Sequence, residues 1–114
     1  MNQEQIKHNI EILEENDIHV CNSTPVWDDM PNSVELRTST DAGEDMIICL
    51  DEPSKKSLEE YIDNFDIDEQ VMLWWRDGED AAHAVGVPFD NIREHYEDYE
   101  ECLKKLRRIA NLLD

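Results

Sequence analysis

The stretch that decides the fold is VELRTSTDAGEDMIICL, residues 34–50. Val34 and Leu36 alternate with polar neighbours, which is the pattern of a β-strand with one buried face. The segment TDAG at 40–43 contains Asp and Gly, two residues that favour turns. The stretch therefore predicts two strands joined by a turn.

The second of these strands, Met46 to Leu50, is apolar at every position. Such a run is typical of a strand that is covered on both faces or central in its sheet, and we expect that here. Upstream, Ile18 and Val20 alternate with their neighbours and predict a short strand that ends at Cys21. Three successive strands with short connections favour an antiparallel meander.

Helices are predicted on both sides of the sheet. Residues 3–15 carry apolar side chains at helical spacing, and Asn-Asp at 16–17 follows as a stop signal. The stretch NSTPVWDDMPNS at 22–33 contains two prolines and turn-forming residues, and predicts a loop. After the sheet, residues 51–54 open another helix. Its apolar stripe consists of Leu58, Tyr61, Ile62 and Phe65.

The segment DIDEQVMLWWRDG, residues 66–78, is compatible with two structures. Asp66 followed by Glu69 is a helix-capping pattern, whereas the Val and Trp content would also suit a strand. We favour the helix. Adjacent side chains point in different directions, so we expect one of Trp74 and Trp75 in the core and the other at the surface, as an interface anchor.

After a loop at 77–87, the last helix is predicted from about Asp90 to Leu113. Its apolar residues recur at spacings of four and three and form one seam: Ile92, Tyr96, Tyr99, Leu103, Leu106, Ala110 and Leu113. Such a seam most often packs on the domain's own sheet, and a self-pairing coiled coil is the alternative. We predict one α+β domain over residues 1–114, with an N-terminal helix, a three-stranded antiparallel sheet, and two or three helices ending in a long C-terminal helix.

Cysteine and histidine residues indicate neither a metal site nor a redox dithiol. Cys21, Cys49 and Cys102 are widely spaced without a CxxC pair, and four histidines are scattered. An odd number of cysteines without a signal peptide fits a reducing cytoplasm. His95 stands among acidic residues, and we expect it to be a solvated helical histidine. We predict no cofactor.

Negative charge dominates the composition. The chain has 29 acidic and 10 basic residues and a net charge of -19. Residues 1–100 contain 27 of the acidic and 6 of the basic residues, so only the C-terminal tip is basic. This charge excludes nucleic acid and anionic membrane surfaces as main direct ligands, because both require clustered Lys and Arg. The apolar runs are too short to span a bilayer.

No catalytic motif is present. The sequence contains no phosphate-binding glycine loop, no GxSxG nucleophile elbow and no Cys/His nucleophile pattern. The segment 66–77 resembles the start of a calcium loop but lacks its turn glycine and closing Glu. We therefore expect a protein that is not an enzyme.

The distribution of acidic residues predicts a protein partner. Carboxylates three or four residues apart on a helix lie about 5–6 Å apart at Cβ, on the scale of phosphates along a nucleic-acid strand. A rigid array of this kind can occupy a groove lined with Lys and Arg. The predicted contact residues surround the tryptophans and the last helix: Asp66, Asp68, Glu69, Trp74, Trp75, Asp77, Glu79, Asp80, Glu94, Glu97, Asp98 and Glu101.

Two alternatives use the same features differently. The acidic surface could serve only to keep the protein soluble, as in halophilic adaptation. A homodimeric interaction module could instead be built on the heptad seam of the last helix, with no nuclease target.

The order of helix, three strands and helices in a short acidic chain resembles phage-encoded inhibitors of CRISPR effector nucleases and the anti-restriction DNA mimics of mobile elements. The stretches FDIDEQVMLWWRDG at 65–78 and GVPFDNIREHYEDYEECLKKLRRIANLL at 86–113 are similar to reading frames of gut Firmicutes phages and conjugative elements. The resemblance implies a cytoplasmic, non-enzymatic inhibitor, monomer or dimer, that covers the nucleic-acid-binding or PAM-reading surface of a bacterial defence nuclease.

Overall fold

The computed structural model describes residues 1–21, 33–76 and 92–114. Within these ranges the elements, in chain order, are α1 (Gln3–Glu15), β1 (His19–Val20), β2 (Val34–Ser39), β3 (Asp45–Leu50), α2 (Lys55–Asp63), α3 (Ile67–Arg76) and α4 (Ile92–Ala110). The predicted α+β class and element order are confirmed, and the helical interpretation of the segment around the tryptophans is correct. The predicted loops at 22–33 and 77–87 lie outside the described residues, apart from Ser33.

The three strands form an antiparallel sheet in the order β1-β2-β3. In the β2–β3 pair, Val34 lies opposite Leu50 and Leu36 opposite Ile48. These inward residues are all buried and belong to the core of the protein. Because side chains alternate along a strand, this register places one face of the hairpin against the helices and the other face outward.

The expectation that β3 is covered on both faces or central in its sheet is wrong, and within the described residues β3 has a strand neighbour on one side only. Its residues alternate between exposed and buried along the whole strand. The side chain of Ile47 is 55% exposed, whereas that of Ile48 is fully buried. The apolar run therefore reflects β-propensity and one buried face, since Ile47 and Cys49 suit a strand without being covered.

Helix starts follow the capping signals in the sequence. Asn2 and Gln5 form a capping box at the start of α1, and Ser54 Oγ accepts from the Ser57 N–H at 3.2 Å at the start of α2. Asp66 Oδ1 accepts from the Glu69 N–H at 3.1 Å and begins α3, as its capping pattern predicts. Side-chain acceptors thus satisfy backbone N–H groups that have no intrahelical partner.

The seam of α4 packs into the protein's own core. Tyr99, Leu106, Ala110 and Leu113 are buried in the cluster that also holds the inward face of the sheet. The buried face of α4 differs from the predicted seam, because the seam residues Tyr96 and Leu103 are only partly buried. The other buried residues of α4 are His95, Cys102 and Ile109, which were not in the predicted seam.

Buried Asn9 joins three separate parts of the chain. Its Nδ2 donates to the carbonyl of Pro53 at 2.8 Å and to that of Asp114 at 3.3 Å, and its Oδ1 accepts from the Asp114 N–H at 3.1 Å. The side chain is fully buried and has no access to water, so these bonds supply the partners that its amide group needs. Asn9 therefore fixes α1 to the start of α2 and to the end of the helix that carries the seam.

The alternation along β3 predicts two very different costs for the same substitution. Ile48→Ala should lower the free energy of unfolding by about 2–4 kcal/mol, because it leaves a cavity in the core. Ile47→Ala should lower it by less than about 1 kcal/mol, because its side chain remains in water. Urea unfolding followed by circular dichroism measures both, and equal losses would contradict the observed one-sided burial.

Candidate functional site

The acidic residues of α3 and those of α4 lie side by side. Asp68 Oδ1 on α3 accepts a hydrogen bond from the hydroxyl of Tyr96 on α4, at 2.8 Å. This bond raises the pKa of the Tyr96 hydroxyl. Carboxylates of α3 and α4 that are 25 or more residues apart in the chain are thereby held on one part of the surface.

Most of the predicted acidic contact residues in the described ranges face solvent. Asp66, Asp68, Glu69, Glu97 and Glu101 are exposed, and Glu94 is partly buried. Glu97 accepts from Arg93 at 3.0 Å, and Glu101 accepts from Lys104 at 3.3 Å. Both are exposed ion pairs within one helix, which are worth little and exchange readily for other partners.

Part of the predicted site falls outside the description. Asp77, Glu79 and Asp80 lie beyond the described residues. Trp74 and Trp75 belong to α3 by their backbone, and their side chains are not among those described. Their role as an interface anchor therefore stays a prediction.

A groove of about 400 Å³ runs between the end of β3, α2 and the start of α3. It contains four carboxylates, and among its described lining residues none is basic; we call it the acidic groove. Its walls also include neutral polar and aromatic side chains, among them Tyr61 and Phe65. Its carboxylates come from Asp51, Glu60, Asp66 and Glu69.

Two of these groove carboxylates were not in the predicted site. Asp51 and Glu60 stand apart from the tryptophan segment in sequence, and the hairpin and α2 bring them beside Asp66 and Glu69. Glu60 precedes Asp66 by only six residues, so chain proximity could have indicated it, whereas nothing in the sequence brings Asp51 from the end of β3 to the same groove.

A second group of ionisable residues is buried under the β2–β3 turn. Glu44 Oε1 and His95 Nδ1 are 2.7 Å apart and share a hydrogen bond, with side chains that are 0% and 3% exposed. Burial raises the pKa of the Glu44 carboxyl, while the Tyr99 hydroxyl and His95 act in the opposite direction. The expectation of a solvated His95 is wrong, because α4 turns this residue towards the hairpin.

The turn geometry explains how Glu44 reaches His95. The Thr40 N–H donates to the Glu44 carbonyl at 2.9 Å, and the Glu44 N–H donates to Thr40 Oγ1 at 3.1 Å. Gly43 has a φ of 93°, a conformation that side-chain-bearing residues rarely adopt. Glu44 is two residues before Met46 and four before Ile48, so the alternation of side chains along a strand places it on the same inward face. This signal could have identified Glu44 as buried.

Asp98 differs from the other predicted contact residues. It is partly buried, and its Oδ2 is enclosed without a hydrogen-bond partner among the described residues. Its negative charge raises the pKa of Glu44, which means that it lies near the buried pair. The structure thus directs Asp98 towards the hairpin turn and away from the groove.

The three cysteines have different environments, and all three are free thiols. Cys49 is exposed, Cys21 is partly buried and Cys102 is buried. The thiol of Cys102 lies 3.3 Å from the Met46 sulfur, and burial raises its pKa to about 11. Only Cys49 combines a thiol with direct access from solvent among the three.

The described residues hold neither a metal-binding cluster nor a membrane-spanning helix. No group of three or more His, Cys, Asp and Glu side chains there is arranged to hold a metal ion. Likewise, no helix in residues 1–21, 33–76 and 92–114 is long and apolar enough to cross a membrane.

Comparison with known proteins gave no match to a family model, to a curated protein or to a solved structure.

The buried carboxylate predicts a pH dependence of stability that is specific to Glu44. Its pKa is raised on folding, so the folded state binds more protons and Glu44 costs stability as the pH rises through its titration. Glu44→Gln should therefore gain stability relative to the wild type as the pH rises above the ordinary titration range of a glutamate. The exposed Glu11→Gln is the control, and thermal unfolding at each pH is the measurement. A difference that shrinks with rising pH would contradict the sign.

The cysteine environments predict three rates of thiol modification. At about pH 8, a disulfide reagent should react rapidly with Cys49, more slowly with Cys21, and with Cys102 only after unfolding, because a buried thiol of raised pKa supplies little thiolate. Cys49→Ser should remove the fast phase and Cys102→Ser should leave it intact. A fast phase that survives Cys49→Ser would contradict this assignment.

Proposed function

We propose that this protein is a non-enzymatic inhibitor that mimics nucleic acid. It acts in the bacterial cytoplasm and binds the Lys- and Arg-lined groove of a defence nuclease, a CRISPR effector or a restriction enzyme. The observation that carries the proposal is the acidic groove, whose four carboxylates have no basic neighbour among the described lining residues. A basic protein surface would supply the missing counter-charge.

The carboxylates that support this function are held on a fixed frame. Asp66 caps α3, Asp68 bonds to Tyr96 on α4, and α2 packs on both α4 and β3. Helical neighbours on this frame are about 5–6 Å apart at Cβ. An array that is already ordered loses little conformational entropy on binding, which favours affinity for a partner built to hold a regular row of phosphates.

The charge of the whole chain adds a kinetic advantage. A net charge of -19 attracts a basic groove over a distance and raises the rate of encounter, while it repels competing nucleic acid from the complex. This attraction weakens as salt rises, because the Debye length falls to about 8 Å at physiological ionic strength. Inhibition should therefore depend on salt.

The alternative, a coiled-coil dimer, finds less support in the packing of α4. The seam residues Tyr99, Leu106 and Ala110 are each no more than 1% exposed. They belong to the core cluster that also holds the inward residues of the sheet and of α2, so a helix from a second copy would have to displace this core. Free thiols at Cys21, Cys49 and Cys102 are compatible with a reducing cytoplasm.

Neutralising the groove and its surroundings should weaken inhibition without unfolding the protein. The variant Glu60→Gln, Glu69→Gln, Glu97→Gln, Glu101→Gln removes four exposed carboxylates and should weaken inhibition of DNA cleavage by about 10- to 100-fold, because each pair with a basic groove contributes modestly. The measurement is cleavage by a panel of purified CRISPR effectors and restriction enzymes, at low and at physiological salt.

A matched control separates local from general charge. Glu4→Gln, Glu11→Gln, Glu14→Gln, Glu15→Gln removes the same charge from the exposed face of α1, away from the groove. This control should keep most of the inhibition. If both variants inhibit like the wild type, or if the wild type inhibits no enzyme of the panel, the proposal of a mimic is wrong for these targets.

A further inference from the structure

Strand β3 has an open edge within the described part of the chain. The sheet order β1-β2-β3 gives β3 one strand neighbour, β2, within the described residues. The Thr40 N–H donates to the Glu44 carbonyl, so these two residues form a hydrogen-bonded pair at the end of the antiparallel ladder. Hydrogen-bonded pairs recur at every second position, so the N–H and C=O groups of Met46, Ile48 and Leu50 face β2. The N–H and C=O groups of Asp45, Ile47 and Cys49 therefore point away from the sheet.

These outward groups have no other partner in the described part of the chain. No backbone or side-chain bond there closes the edge at Asp45, Ile47 or Cys49. The side chains of Ile47 and Cys49 are exposed on the open face of the sheet beside it. An exposed edge with an apolar residue is a template for pairing with another extended chain.

The edge leads directly into the acidic groove. Cys49, Leu50 and Asp51 form the groove's wall on the side of β3, and α2 and the start of α3 form the other walls. Because α2 packs with Ile48 and Leu50, a strand added beside β3 would direct every second side chain towards these walls. The alternate side chains would lie next to Ile47.

Charge decides which occupant fits this edge. A second copy of the chain would bring another net charge of -19 against the same surface. An extended segment with Lys or Arg at alternate positions would instead place them beside Asp51, Glu60, Asp66 and Glu69. We infer that the β3 edge binds an extended basic segment of the partner protein by strand addition, with its basic side chains in the acidic groove and an apolar side chain against Ile47.

This inference deepens the proposed function. It relies on that function only for the assumption that the partner is basic. Strand addition supplies main-chain hydrogen bonds, and the groove selects the side chains. The partner is thus recognised by an exposed basic strand at the rim of its nucleic-acid groove, in addition to the general attraction of charge.

The test uses the intact chain and two peptides of about eight residues, one alternating Lys with Val and one alternating Lys with Pro. Both carry the same charge, but only the first can form a strand ladder. The Lys-Val peptide should slow hydrogen exchange of the Asp45, Ile47 and Cys49 amides by about tenfold or more. The Lys-Pro peptide should leave these rates unchanged, and amides already bonded within the sheet serve as the internal reference.

Variants separate the edge from the groove. Ile47→Lys adds a positive charge at the edge and should weaken binding of the Lys-Val peptide about tenfold. Ser39→Lys adds the same charge to exposed Ser39 on β2 and should change binding less than about twofold. Glu60→Gln and Glu69→Gln should each weaken binding by about two- to fivefold. Because the Ile47 side chain is exposed and the variant keeps the backbone N–H, circular dichroism should show that Ile47→Lys has an unchanged fold.

Three results would overturn the inference, and a fourth would support it while rejecting the nuclease target. Equal affinity for both peptides without amide protection would mean charge attraction alone. Sedimentation of the wild type as a dimer that Ile47→Lys converts to a monomer would mean that a second copy occupies the edge. Nuclease inhibition that survives Ile47→Lys would reject strand addition and keep the proposed function. Protected amides with no nuclease inhibited would keep strand addition and reject the nuclease target.

Discussion

The hydrogen bond between Glu44 and His95 is the constraint on which the arrangement of this protein depends. It joins the turn of the β2–β3 hairpin to the first half of α4, across 51 residues of chain and inside the core. Burying an ionisable pair is costly unless the two groups satisfy each other, so the turn and the helix must keep one relative position. The position of α4 on the sheet in turn determines where α2 and α3 can pack.

This constraint divides the carboxylates into two kinds. Glu44 and Asp98 face inward around the hairpin turn, and Asp66 and Asp68 face solvent while holding α3 in place. Among the surface acids, Glu97 and Glu101 form weak pairs within one helix, and four others stand in the acidic groove. The total charge is therefore a poor guide to a binding surface, because a share of it maintains the fold.

The same packing explains why one face of the sheet is open. The helices α2 and α4 share the core with Leu36, Ile48 and the other inward residues. Residues of opposite parity, such as Ile47, stay in water. An acidic groove at the end of an open strand edge combines two kinds of recognition, since main-chain bonds are independent of sequence and carboxylates select basic side chains. Neither feature needs a catalytic group.

Local signals predicted much of the fold. Capping residues such as Asn2 and Asp66 begin helices where expected, because a side-chain acceptor satisfies nearby N–H groups wherever the chain goes. Alternation and turn residues defined the hairpin for the same reason. The candidate site was recovered only in part: Asp66 and Glu69 were expected, whereas Asp51 joins them from the end of β3 and Glu60 from α2.

The sequence by itself determined the element types, their order, the excess of negative charge and the absence of known catalytic motifs, since these depend on neighbours along the chain. Tertiary structure decided that Ile47 faces water, that His95 is buried against Glu44, and that the acids of α2 and α3 share one groove. Apolar periodicity indicates that a residue suits a strand or a helix, but whether its side chain is buried depends on the surface that packs against that side chain. That surface comes from residues far away in the chain, and no local pattern encodes it.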